Sequence, residues 1–329
     1  IMHRYDDPNF RFNYEKIMEM TETCKQWGKW GPDDEWGTIN YIGDEERKEA
    51  AKLVKTGKVF SLGLNFDDQG PQRGIFGGRW NPIHTMLATG TDAVQGIQAP
   101  PPGKEYPNQY ADDAVSLPLQ CGTQWDALGH VFNQGKMWNG YEATLVTSNG
   151  AEKNAMHKMR DRMVGRGVLL DIARWAGVDS LDDGTAIDAE DLDQCAKDQK
   201  VEIKRGDFVI YRTGHMERCL AAGDWGGYAG ADAPGVSFHT CEWMKDTEIA
   251  GICADTWGCE VIPNETDAVF QPWHWIVIPM IGITMGEIFY LKDLANDCAK
   301  DGVYEFMFVA PPLPITGAVG SPINPQAIK

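Results

Sequence analysis

Gln120-Cys121-Gly122-Thr123-Gln124-Trp125-Asp126-Ala127-Leu128-Gly129-His130 is the stretch from which the fold is read. Asp126 and His130 are metal-ligand residue types, a hard anionic oxygen and a neutral nitrogen. Gln120 and Gln124 stand at even-numbered offsets from them. In an extended segment residues at even spacing share one face, so all four side chains would converge on one point. A lone Asp-x-x-x-His is common, and the two glutamines could equally satisfy buried backbone groups. Trp125, on the opposite parity, reads as core.

Around this stretch the composition is that of a globular chain. The 329 residues include 43% hydrophobic and 24% charged, enough apolar surface for a large core. With 48 Asp+Glu against 30 Lys+Arg the net charge is -18, which repels nucleic acid and anionic membrane surfaces. A small molecule is the expected partner, with neither nucleic acid nor membrane. The sequence contains no 18-residue apolar run and opens without a signal-peptide pattern, so a cytoplasmic location is expected. Eight cysteines form no C-x-x-C pair and read as reduced core residues. Asn264-Glu265-Thr266 fits a glycosylation sequon, a short pattern that means little by itself.

Helices and strands alternate along the chain. Asp44 is an expected N-cap for a helix over 45–55, stopped at Gly57, before a strand over 59–64. The stretch Gly70 to Pro107, with Pro100-Pro101-Pro102, is expected to be a long irregular excursion that borders a pocket. Lys153 to Arg166, with Met156, Met159 and Met163, suggests an amphipathic surface helix or a lid. Further strands are expected at 168–170, 208–212, 249–254 and 305–309. Helices are expected at 189–199 after Asp188, near 240–246, and at about 291–301. The alternation predicts an α/β or mixed α+β chain, one domain over 1–329 with an N-terminal extension of about 29 residues.

With Gln120 and Gln124 read as histidines, the opening stretch becomes H-x-G-T-H-x-D-x-x-x-H. In that form it resembles the cyclase-like metal-dependent hydrolases, which include bacterial kynurenine formamidase and isatin hydrolase. The likeness extends from about Trp30 to Lys329. Trp30-Gly31-Pro32-Asp33-Asp34-Glu35-Trp36-Gly37-Thr38-Ile39-Asn40, Asp255-Thr256-Trp257 and Gly320-Ser321-Pro322 are similar to segments of the family. His274, in Gln271-Pro272-Trp273-His274, and Glu287 after Gly286 resemble the His and Glu that complete the kynurenine formamidase site. The resemblance implies a swivelling β/β/α fold with a mixed sheet, a dimer or higher homo-oligomer, and a metal-activated water that opens amides or lactams.

The residues and the resemblance together give the expected site. Asp126, His130 and Glu287 are the expected metal ligands, and His274, Asp126 and Glu287 the catalytic groups. His274, flanked by Trp273 and Trp275, is the expected acid/base, with a pKa lowered by burial. Gln120, Gln124, His84 and His215 are candidate substrate contacts, His215 because it follows a strand. The oxygen-rich ligand set favours manganese or magnesium over a thiolate-bound zinc. One divalent ion, manganese or zinc, is the cofactor expected, because a neutral amide binds more weakly than imidazole and two histidines are replaced. The function expected is hydrolysis of a small amide, lactam or lactone. A metal-independent cyclase or dehydratase is the alternative, and a binding protein without turnover the reading from another class. No Walker, H-E-x-x-H or G-x-S-x-G motif occurs, which leaves those chemistries without support.

Overall fold

The computed structural model describes residues 2–105 and 108–329. Its centre is a nine-stranded mixed sheet. Four strands, Val164–Asp171, Phe208–Arg212, Gly251–Ala254 and Thr284–Glu287, lie side by side and parallel. Antiparallel strands extend this block on both sides. Gln124–Asp126 pairs with Thr284–Glu287, and Gly320–Pro322 pairs in turn with Gln124–Asp126. On the far side come Glu305–Val309, Gln326–Ile328 and Val59–Ser61. Helices Ala189–Asp198 and Cys241–Asp246 lie in the connections between parallel strands, as crossovers require, and Lys292–Asp301 leads from Thr284–Glu287 to the antiparallel Glu305–Val309. This is the α/β architecture expected, and all four parallel strands are buried along most of their length.

One core joins sequence-distant parts. Trp125 is fully buried, and its ring lies 5.9, 6.1 and 6.2 Å from those of Phe208, Phe289 and Phe308. Its indole N–H donates to the Ala310 carbonyl, so the polar atom is satisfied where the ring is dry. Truncation of such a ring to alanine costs roughly 3–5 kcal/mol. The N-terminal extension is fastened onto the same body. His3–Arg4 pairs with Thr185–Ala186, and His3 is held between Asp188 and Glu265. All eight cysteines are free, and all but Cys219 are buried. Among the described residues no helix is long and apolar enough to cross a membrane.

Several local expectations are corrected. The first long helix beyond the extension is Asp44–Ala51, with Gly43 rather than Asp44 at its N-cap, where Glu46 accepts the Gly43 N–H. The region 70–107 is not wholly irregular. It contains the strand Ile83–Ala88 and the short helix Gly90–Val94; residues 106 and 107 lie outside the described residues. Ile83–Ala88 pairs with Asp112–Ser116 as an exposed two-stranded arm. Lys153 to Arg166 is not an amphipathic helix. Only Met156–Met159 forms one 3-10 turn, Val164 already belongs to the sheet, and the three methionines are buried. Their apolar side chains follow the core, not a helical stripe. Asn264 is buried, and its amide donates to Glu260 and the Val261 carbonyl, which is incompatible with a sugar acceptor.

Candidate active site

The site begins where Gln124–Asp126 runs antiparallel to Thr284–Glu287, with Gln124 opposite Glu287 and Asp126 opposite Met285. Strand alternation puts Gln124, Asp126 and Glu287 on one face and Trp125 on the other. Gly286 makes this pairing tight: a Cβ there would stand 2.7 Å from Cys253 Sγ and 2.9 Å from the Phe289 ring. Thr123 anchors the start of the strand. Its hydroxyl donates to the Ile288 carbonyl and accepts from the Leu64 N–H. Glu287 thus ends a parallel strand at its carboxyl end, where open α/β sheets place their ligands.

His274 arrives from a different element. Gln271 sits in the left-handed region at φ 52°, ψ 55°, and Pro272 opens the helix Pro272–Ile276. Glu260 receives this helix. One oxygen accepts the Trp273 N–H at 3.1 Å; the other accepts the His274 N–H at 3.0 Å and lies 2.5 Å from His274 Nδ1. The opposite ring nitrogen then faces Glu287, 3.2 Å from Oε1. Gln124 lies against the same carboxylates, donating from Nε2 to Glu287 at 2.8 Å and to Asp126 at 3.3 Å. Its amide oxygen is buried and has no hydrogen-bond partner among the described residues.

Asp126, His274 and Glu287 are all buried, and each offers a donor atom within 4.8 Å of the others. Two carboxylates and an imidazole suit a hard-to-borderline divalent ion. The Gln124 amide adds an oxygen that could turn toward such an ion, because its two ends are equal in reach. These residues therefore fit a metal. His130 stands outside that group; its Nε2 is 3.7 Å from Asp126 Oδ1, and its side chain is 22% exposed.

Ionisation in the cluster is strongly perturbed. Burial and then the Glu287 charge push Asp126 up to about 6, partly offset by His130, His274 and Arg79. Loss of surrounding water lowers the pKa of His130, with Asp126 opposing the shift. His274 departs from the sequence expectation. Burial alone would lower its pKa, but hydrogen bonds to Glu260 and Glu287, reinforced by their charges, push it up to about 10. An imidazole clasped by two carboxylates is a poor proton acceptor at neutral pH.

A cavity of 340 Å³ opens above these groups, with Phe76, Arg79, Phe132, Trp257 and Gln271 in its walls. Sequence reasoning missed Arg79, Glu260 and Gln271, which no local motif marks. The structure also separates several of the expected site residues. The strand is only three residues long, so Gln120 falls in a preceding turn and packs against Gly320. The expected even-numbered row does not extend that far. His84 lies on the exposed arm, 2.6 Å from Asp113, and does not line the cavity. His215 begins the helix His215–Ala222 and borders another cleft, of 510 Å³, with Asp183, Arg218 and Tyr228. Burial lowers its pKa to about 4.

Comparison with known proteins agrees with the fold. Residues 40–261 match the Cyclase family model. A solved structure described as a novel cyclase is 38% identical, with a TM-score of 0.84, over 93% of this chain and 99% of that one. Isatin hydrolase A from Labrenzia aggregata, bound to benzyl benzoate, shares the fold at 16% identity and a TM-score of 0.57, over 84% of this chain and 94% of that one. A predicted metal-dependent hydrolase from Bacillus stearothermophilus does so at 18% identity and a TM-score of 0.53, over 83% of this chain and 98% of that one. A search of curated proteins finds no match. Given the family model, the 38% identical structure and the shared mixed sheet, the chain belongs to the Cyclase family.

Proposed function

We propose that the protein is a hydrolase of a small amide or cyclic amide, assisted by one divalent ion. The carrying observation is that Asp126, His274 and Glu287, from three separate elements, bring donor atoms within 4.8 Å of one another beneath a cavity. The isatin hydrolases and metal-dependent hydrolases of the same fold support the reaction class by analogy. In this reading two expected roles are exchanged: His274 joins Asp126 and Glu287 as a ligand, and His130 is the acid/base. Manganese or zinc suits the set of two carboxylates and one imidazole. When bound, such an ion supplies Lewis-acid polarisation of the scissile carbonyl and acidifies water.

The chain's own groups do the rest. His130 is partly exposed and lines the cavity, and loss of surrounding water lowers its pKa, which favours the neutral imidazole that a general base requires. It accepts a proton from the attacking water and returns it to the departing nitrogen as the C–N bond breaks. Asp126, beside it, steadies the imidazolium formed in between. Glu260 fixes the His274 ring so that Nε2 faces Glu287. The test is metal analysis of the protein together with turnover of small aryl amides. About one equivalent of manganese or zinc with chelator-sensitive hydrolysis is expected, and His130→Asn should lower kcat by roughly 10²-fold while metal stays bound.

A second reading has its own observation. The Gln124 amide and a protonated His274 already hydrogen-bond the two carboxylates, which suits metal-independent acid–base chemistry such as cyclisation or dehydration. Full activity in protein stripped of metal would select it.

A further inference from the structure

The Asn264-Glu265-Thr266 pattern serves no sugar, so its buried asparagine needs another reason. Both ends of the Asn264 amide are engaged. Nδ2 donates to Glu260 Oε2 at 3.2 Å and to the Val261 carbonyl at 2.9 Å, while Oδ1 accepts the Gln271 N–H at 2.9 Å. The residue is pinned from outside as well, because Arg11 of the N-terminal extension donates to its carbonyl at 3.2 Å.

Its partners Glu260 and Gln271 are the two residues that start the helix Pro272–Ile276. The first N–H groups of a helix have no partner within it; those of Trp273 and His274 both go to Glu260. Gln271, just before the helix, is left-handed at φ 52°, ψ 55°. That conformation is strained for a non-glycine residue and persists only where the surroundings fix it. Asn264 supplies such a contact to Gln271 and, with its other end, holds the Glu260 carboxylate. An aspartate of the same shape could accept from Gln271 but, ionised, could not donate to Glu260; an amide does both.

We propose that Asn264 is a positioning residue for the site. It sets the start of the His274 helix and the angle of the Glu260 carboxylate together. As a result His274 Nδ1 stays 2.5 Å from Glu260 while Nε2 faces Glu287 at 3.2 Å. Its effect on the chemistry passes through Glu260 and His274. The proposal rests on the metal-assisted reading only where it makes His274 a ligand; the placement of the ring does not need it.

The test uses Asn264→Asp and Asn264→Ala, with Gln199→Ala as control. Gln199 also bridges two backbone groups with its amide, the Asp171 N–H and the Leu169 carbonyl, and borders a different cleft with Tyr304. Cobalt(II) titration of metal-free protein, followed by the visible spectrum, reads the ligand set. Both Asn264 variants should bind cobalt roughly 10- to 100-fold more weakly, the scale of losing a group that orients a ligand, with displaced bands. Gln199→Ala should lose stability in denaturant and keep affinity and spectrum. By proton NMR of metal-free protein, the His274 ring N–H signals, identified by their loss in His274→Asn, should lie far downfield in the wild type. They should move upfield in both Asn264 variants. Wild-type cobalt binding by Asn264→Asp overturns the proposal, as do equal losses in Gln199→Ala. If one Asn264 variant fails to fold, the other decides. If the wild type binds no cobalt, the metal-assisted reading falls and the ring protons decide. A shift confined to the Asn264 variants then keeps the positioning role, and unmoved protons remove it.

Discussion

Between Trp30–Trp36 and His157–Arg162 lies a cleft of 880 Å³, more than twice the 340 Å³ of the cavity over Asp126, His274 and Glu287. The two differ most in what their polar groups are doing. In the larger cleft Glu35 accepts from Lys158 and from the Asn154 N–H, and Arg162 lies 3.4 Å over the Trp36 ring. Asp34 accepts from the Gly37 N–H, Asn40 and Trp138. These contacts tie the 30–40 segment to the body. In the smaller cavity two carboxylates crowd one imidazole, a buried amide oxygen lacks a partner among the described residues, and the Asp126 pKa is pushed up to about 6. Perturbed ionisation and incomplete pairing mark a place of chemistry better than volume does.

Substitutions can break that contrast or sharpen it. The largest effect is expected for Asp126→Ala, which should remove the bound metal and lower kcat/KM by roughly 10³-fold or more. Mass spectrometry under native conditions and steady-state kinetics read the two losses. A variant that retains stoichiometric metal would displace the site from Asp126.

Glu260→Gln should act more gently, by loosening the ring of His274. Metal affinity is expected to fall by roughly 10- to 100-fold, the usual scale for an outer-shell partner. Its pH dependence carries a sharper signature. His274 must shed its proton to bind a cation, and that proton is held up to about 10. Affinity should therefore rise about tenfold per pH unit between about 6 and 10, and more steeply below about 6, where Asp126 is also protonated. Without the Glu260 charge His274 loses its proton at lower pH, so the slope between 8 and 10 should flatten. An unchanged slope would detach Glu260 from this role.

Glu35→Gln tests the other side of the comparison and should do least to turnover. Its loss leaves Lys158 and the Asn154 N–H poorly matched, at a cost of about 1–3 kcal/mol in stability by denaturant titration. With kcat within about twofold, the larger cleft is structural. A collapse of kcat at unchanged stability would return it to consideration as part of the site.

Much of this was legible in the residues. The alternation of strands and helices follows local pattern, so Phe208–Arg212, Ala189–Asp198 and Glu305–Val309 fall where the sequence puts them. Trp125 belongs to the core because strand parity forces it opposite to Gln124 and Asp126. Failures came where a side chain's partner lies far along the chain. Met156, Met159 and Met163 mimic a helical stripe but are buried against the sheet. A three-residue strand is too short for Gln120 to share the face of Gln124.

By itself the sequence determined the fold family and the acidic, aromatic character of the chain, and it named Asp126, His130, His274 and Glu287. Asp126 and His130 follow from residue type and spacing, whereas the family, His274 and Glu287 follow from the resemblance of whole segments to known relatives. The division of labour proposed for the four rests on tertiary contacts alone. Glu260 stands 14 residues from His274, and Glu287 another 13, yet both reach one imidazole and reverse the pKa shift that burial alone would give. Arg79, more than 40 residues before Asp126, enters the same cavity from the loop that leads to the exposed arm. Electrostatics depends on distances in space, and in this molecule the distances that matter most are set between residues no spacing rule connects.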